Sequence, residues 1–169
     1  MLLQVNPNSW SCMAAAFSTA LGIRFADFIK LMGHDGSGQP YEDKRFHRGF
    51  HIQECIDLCL MTGFACTEIQ CYYGSKPFVE SIESVPVYPL KDCEFRFQHY
   101  LRKTKRGVIT GLGQCFGHAV AWDGKFIYDP RSPGYMYRFE DAVKYNFRPQ
   151  TLWILTKMEP DDVKKILEG

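Results

Sequence analysis

Cys12, His118 and Asp129 are the residues of this chain whose types and order could carry out covalent chemistry. A thiol becomes a strong nucleophile near neutral pH once a base takes its proton. An imidazole serves as that base when a carboxylate fixes its tautomer. Cys12 is therefore the candidate nucleophile, His118 the candidate base and Asp129 the acid that orients it. Each has a bland explanation beside this one. Cys12 could be a buried structural thiol, and His118 with Asp129 a cross-strand pair without chemistry.

The two later residues are placed by a hairpin. Gly117 to Trp122 and Lys125 to Asp129 read as strands flanking Asp123-Gly124, and Asp-Gly between alternating apolar runs is the strongest short-range hairpin signal. A two-residue loop pairs Trp122 with Lys125. Counting outward, Ala121 faces Phe126, Val120 faces Ile127, Ala119 faces Tyr128, and His118 faces Asp129. Directly opposed residues point to one face with Cβ atoms about 4.5–5.5 Å apart. A slip of one residue would separate the pair, because register sets the face.

Cys12 opens the first helix. Met13, Ala14, Ala15, Ala16, Ala20 and Leu21 are good helix formers, Asn8, Ser9 and Ser11 are N-cap candidates, and Gly22 is a natural stop. A helix N-terminus carries about half a positive charge and unsatisfied N–H groups. Both favour thiolate over thiol, and the same N–H groups can stabilise an oxyanion.

The remaining elements follow from periodicity and turn residues. Phe25 to Met32 reads as a short helix ended by Gly33, and Gly33 to Gly49 as a loop. In His51 to Thr62, Ile52, Cys55, Ile56, Cys59 and Leu60 repeat at three and four, as in an amphipathic helix. Phe64 to Tyr73 reads as a strand, Gly74 to Lys91 as connection, and Asp92 as the cap of a helix from Cys93 to Lys103. Gly107 to Gly111 is expected as a strand, Phe139 to Tyr145 as a short helix, and Thr151 to Thr156 as a closing strand. Helices first and an antiparallel sheet after them make an α+β domain. We expect one domain over residues 1–157 and a polar tail, a surface helix, over 158–169.

Composition narrows the function. The chain has 169 residues and a formal net charge of +1. That balance argues against nucleic acid as a partner bound through bulk charge. The run Arg102-Lys103-Lys105-Arg106 reads as a solvated helix end rather than a binding patch. The first residues lack the apolar run of a signal peptide, and no stretch reaches the length of a membrane span, so a cytoplasmic location is expected. The seven cysteines are odd in number and irregular in spacing, so a disulfide framework is not expected.

Several segments taken together resemble a known family. Asn8-Ser9-Trp10-Ser11-Cys12-Met13-Ala14-Ala15-Ala16-Phe17, Gly117-His118-Ala119-Val120 and Ile127-Tyr128-Asp129-Pro130 are similar to the papain-like cysteine peptidase domains that clip double-glycine leaders from bacteriocins. They also resemble the related small stand-alone proteins of phages and bacteria. The resemblance implies a papain-like fold, N-terminal helices packed on a C-terminal antiparallel sheet, and a triad of Cys12, His118 and Asp129. It implies a peptide or protein substrate, no cofactor, and a glutamine before the cysteine as oxyanion donor. Gln4 matches that glutamine, with Asn6 and Asn8 as alternatives. Transfer of an acyl group to an amine is a second enzymatic reading, and a catalytically silent binding module a third.

Other clusters have a plainer explanation. His51, Cys55, Cys59, Cys66 and Cys71 have types that suit zinc. No compact cysteine pair recurs, however, and Cys55 and Cys59 lie on the apolar face, so no metal site is expected. His34, Asp35 and Ser37 sit in a glycine-rich stretch that suits either a plain turn or a substrate loop. Trp10, Trp122 and Tyr128 suit either a cleft or the core.

Overall fold

The computed structural model describes residues 1–38, 49–70, 90–114 and 117–160, without the side chains of 90–96. Among the described residues four helices, α1 (Cys12–Leu21), α2 (Phe25–Met32), α3 (Ile52–Met61) and α4 (Leu90–Lys103), and a 3-10 helix (Phe139–Tyr145) surround one sheet. Its strands are β1 (Phe64–Gln70), β2 (Gly107–Leu112), β3 (Gly117–Trp122), β4 (Ile127–Asp129), β5 (Tyr135–Tyr137) and β6 (Arg148–Lys157). Their order is β1-β6-β2-β3-β4-β5, with antiparallel neighbours throughout. This is the expected α+β class.

Two apolar layers sandwich the sheet. On one face Ala14, Ala16, Phe17 and Ala20 of α1 pack with Val108, Ala119 and Ala121. Alanine against alanine lets the helix backbone lie close to β3. On the other face Phe97 and Leu101 of α4 pack with Ile109, Val120, Trp122 and Leu152. Successive residues of β3 thus feed opposite cores, as the two-residue period requires. Gly22 ends α1 at φ 77° and donates its N–H to the Ser18 carbonyl at 2.9 Å. Ser18 and Thr19 are buried, and their hydroxyls donate back to the Ala15 carbonyl.

Some elements depart from expectation. The β3–β4 loop has four residues, not two. Asp123 Oδ1 accepts the N–H groups of Lys125 (2.8 Å) and Phe126 (2.7 Å), and this side-chain turn displaces the tight one. Trp122 therefore pairs with Ile127 and Ala121 with Tyr128. The register moves by two, so His118 lies diagonal to Asp129 rather than opposite it. An even shift leaves both on one face. Helix α4 starts at Leu90, before the expected Cys93. Asp92 therefore falls in its first turn rather than at the cap position. Strand β6 runs beyond Thr151 to Thr156 at both ends, and β5 had no counterpart in the sequence reading. The tail 161–169, residues 39–48 of the expected loop, residues 71–73 and most of 74–91 lie outside the described residues. Among the described residues no single helix is long and apolar enough to cross a membrane.

Candidate active site

Cys12 is the first residue of α1, and the segment before it is tied down by side-chain bonds. Asn6 Nδ2 donates to the Asn8 carbonyl (2.7 Å), and Asn8 Oδ1 accepts the Trp10 N–H (3.2 Å). The Asn6 N–H donates to the Pro130 carbonyl at 2.9 Å, which joins the Cys12 segment to the strand end carrying Asp129. Ser11 holds the N-cap position, yet its hydroxyl makes no capping bond. The first helical bond is from the Ala15 N–H to the Ser11 carbonyl. The Cys12, Met13 and Ala14 amides precede it and have no intrahelical acceptor.

His118 stands at the start of β3, opposite Gly111 of β2. A side chain at Gly111 would fall 2.1 Å from the Arg148 carbonyl, so the close approach of β6 excludes one. The sheet is irregular here. Thr110 pairs with Thr151 but Gly111 pairs with Pro149, leaving Gln150 as the extra residue of a bulge, a device that re-aims side chains.

The His118 ring is held on several sides. Nε2 lies 2.9 Å from Asp129 Oδ1, and Phe147 meets the ring edge-on with centroids 5.6 Å apart. Cys12 lines the same cleft as this imidazole and helps to raise its pKa. With Nε2 committed to Asp129, Nδ1 is the nitrogen left for proton exchange with the thiol. Burial alone would lower the His118 pKa, but hydrogen bonds to Asp129 and Cys12, and their charges, outweigh it and hold it at about 9. Burial would raise the Asp129 carboxyl, but bonds from His118 and Arg131 hold it well below the usual range.

The three expected residues are thus brought together, and Gln4 is not among them. Its Oε1 accepts the Phe25 N–H at 3.0 Å, capping α2, and its Nε2 donates to the Leu2 carbonyl. Its backbone N–H donates to Thr19 Oγ1. Gln4 is spent on joining the N-terminal segment to α1 and α2. Asn6 Nδ2 and Asn8 Oδ1 are engaged in the turn before Trp10.

Trp10, Cys12, Phe50, Thr110, His118 and Gln150 line a cleft of about 510 Å³. A second cleft of about 630 Å³, bordered by Leu112, Val143 and Arg148, meets it at Gly117. Trp10 therefore belongs to the cleft. Trp122 is core, with its indole N–H on the Leu101 carbonyl, and Tyr128 packs on the core and donates to Asp123. Sequence reasoning missed Arg131, Tyr137, Phe147 and Gln150. Asp129-Pro130-Arg131 is a turn signature that could have pointed to the bond from the Arg131 N–H to Asp129 Oδ1.

The other clusters resolve simply. Cys55 and Cys59 are fully buried in the core beside Cys66, and burial pushes all three thiols up, Cys66 to about 11. No group of three or more His, Cys, Asp or Glu among the described residues is arranged to hold a metal ion. Asp35 Oδ1 accepts the Ser37 N–H and His34 Nδ1 the Gly36 N–H, which is turn chemistry. No family model matches this chain, and no curated protein matches it.

Proposed function

We propose that the protein is a cysteine hydrolase of the papain-like kind, acting on a peptide or protein with Cys12 as nucleophile, His118 as base and Asp129 as orienting acid. One observation carries the reading. A buried imidazole is gripped by a carboxylate at 2.9 Å on one nitrogen and lines one cleft with the thiol at the head of α1. The clefts meeting at Gly117 leave room for a chain on either side of the scissile bond.

In this scheme Cys12 Sγ, its proton passed to His118, attacks the acyl carbon. The carbonyl π electrons move to oxygen, and the Cys12 amide donates to that oxyanion. As the C–N bond breaks, His118 protonates the leaving amine. Water then attacks the thioester, gives a proton to His118, and releases the carboxylic acid and the Cys12 thiolate, restoring the thiolate–imidazolium pair. Iodoacetamide near pH 7 should alkylate Cys12 about tenfold faster than Cys55, Cys59 or Cys66, because Cys12 lines the cleft whereas burial raises the other three thiols. Equal rates, read by peptide mass mapping, would sink the proposal.

The commitment of Gln4 to α2 favours a second reading, a domain of this shape that works by occupying a partner. Cys12→Ala separates the two, since only a binding function survives it.

A further inference from the structure

The Asp129 carboxylate is fully buried and receives more donors than orienting a histidine requires. Beside His118, Oδ1 accepts the Arg131 backbone N–H (3.0 Å) and Nε (3.1 Å). Oδ2 accepts Arg131 Nε (3.0 Å), Nη2 (2.5 Å) and the Tyr137 hydroxyl (2.9 Å). Arg131 Nη2 also donates to the Tyr145 carbonyl at 2.6 Å, anchoring the guanidinium to the end of the 3-10 helix. A planar fork on both oxygens of one carboxylate fixes its plane as a single bond cannot.

The fork also carries charge. A carboxylate whose only ionic partner is an imidazolium places its whole field on that ring. The ring then holds its proton tightly, yet the proposed cycle needs His118 to give a proton to the leaving amine and take one from water. A cation on the far side of the carboxylate weakens the field felt by the ring.

We propose, building on the cysteine-hydrolase reading, that Arg131 is a positioning residue: it locks Asp129 against His118 and limits how tightly the imidazolium is held. Among the described residues, the titratable groups facing His118 are Asp129 from β4 and Cys12 from α1. Those facing Asp129 are His118 from β3, Arg131 from the turn after β4, and Tyr137 from β5.

The test is the imidazole titration of His118, followed by NMR in the intact protein. Arg131→Gln removes the cation but leaves the backbone N–H and Tyr137 on Asp129. It should raise the His118 midpoint by about one unit, the scale of a nearby charge at this separation. Arg131→Lys should fall between wild type and Arg131→Gln, because an ammonium keeps the charge but loses the fork. A residue that only holds the fold would lower the unfolding midpoint in both variants and leave the titration where it was. An unchanged or lowered midpoint in Arg131→Gln overturns the proposal. If that variant fails to fold, a lowered or unchanged midpoint in Arg131→Lys does so instead. Iodoacetamide labelling of the same wild-type sample separates the two ideas. Loss of Cys12 selectivity would defeat the hydrolase reading, whereas an unmoved His118 midpoint with selective Cys12 would defeat only the role of Arg131.

Discussion

Two histidine–carboxylate pairs in this protein share residue types and differ in nearly everything else. His34 Nε2 lies 3.3 Å from Glu54 Oε1, and the two side chains are 42% and 41% exposed. His118 Nε2 lies 2.9 Å from Asp129 Oδ1, with side chains 6% and 0% exposed. Glu54 also takes the His51 N–H at the head of α3, so its main duty is a cap. Asp129 is surrounded by donors and serves no cap. Burial and the number of convergent partners, rather than the pairing of a histidine with an acid, set the candidate site apart from an ordinary helix cap.

The difference is broken most directly by Asp129→Ala. It leaves the His118 imidazole, the Arg131 guanidinium and the Tyr137 hydroxyl without their shared acceptor. Removing one partner of a buried charged network costs about 3–5 kcal/mol. Urea unfolding should show a loss of that size, and a loss below about 1 kcal/mol would put the buried pair on a level with the exposed one.

The next effect is the pH dependence of stability. His118 stands at about 9 in the folded chain against 6.5 for the free group. Folding raises this pKa, so its contribution is full below about pH 6.5 and lost as pH rises through 9. At about 1.4 kcal/mol per unit the loss is about 3 kcal/mol. Asp129 has the opposite sign: its contribution is present above the usual carboxyl pKa of 3.8 and fades as pH falls below it. Stability should therefore peak between about pH 4 and 6.5. Unfolding free energies of wild type and His118→Gln at pH 6 and pH 9.5 isolate the His118 part, and equal slopes in the two proteins would refute it.

These expectations bear on what was legible in the sequence. Local signals carried far. The Ala-rich run with Gly22 after it located α1 and hence Cys12, and Asp123-Gly124 located the hairpin. The loop length was missed because Asp123 competes for the turn with its own carboxylate, a choice that residue type does not settle. The face of His118 and Asp129 was still right, since a two-residue shift preserves it. Gln4 was misplaced for a different reason. A glutamine can serve an oxyanion or the head of a neighbouring helix, and only the packing of α2 against the N-terminal segment decides. Arg131 and Tyr137 were invisible as partners because β5 is three residues long, mostly exposed, and defined by pairing with β4 rather than by its own pattern.

A smaller change tests the surroundings of Asp129. Tyr137→Phe removes one donor to Oδ2 and leaves Arg131 and His118 in place. A hydrogen bond to a charged group is worth about 1.5–3 kcal/mol. The retained fork should keep the loss near the lower end, about 1.5 kcal/mol by urea unfolding. A neutral result would mean that the fork alone satisfies Oδ2.

The smallest effect belongs to the exposed pair. Glu54→Gln removes the charge facing His34 but keeps an oxygen able to accept the His51 N–H. Exposed pairs of this kind contribute about 0–1 kcal/mol, and the lost charge near the N-terminus of α3 adds a few tenths more. The urea midpoint should move by less than a third of the shift caused by Asp129→Ala. A comparable shift would show that His34 and Glu54 hold the turn at residues 34–38 against α3 more firmly than their exposure implies. The contrast drawn between the two pairs would then fail from its weaker side.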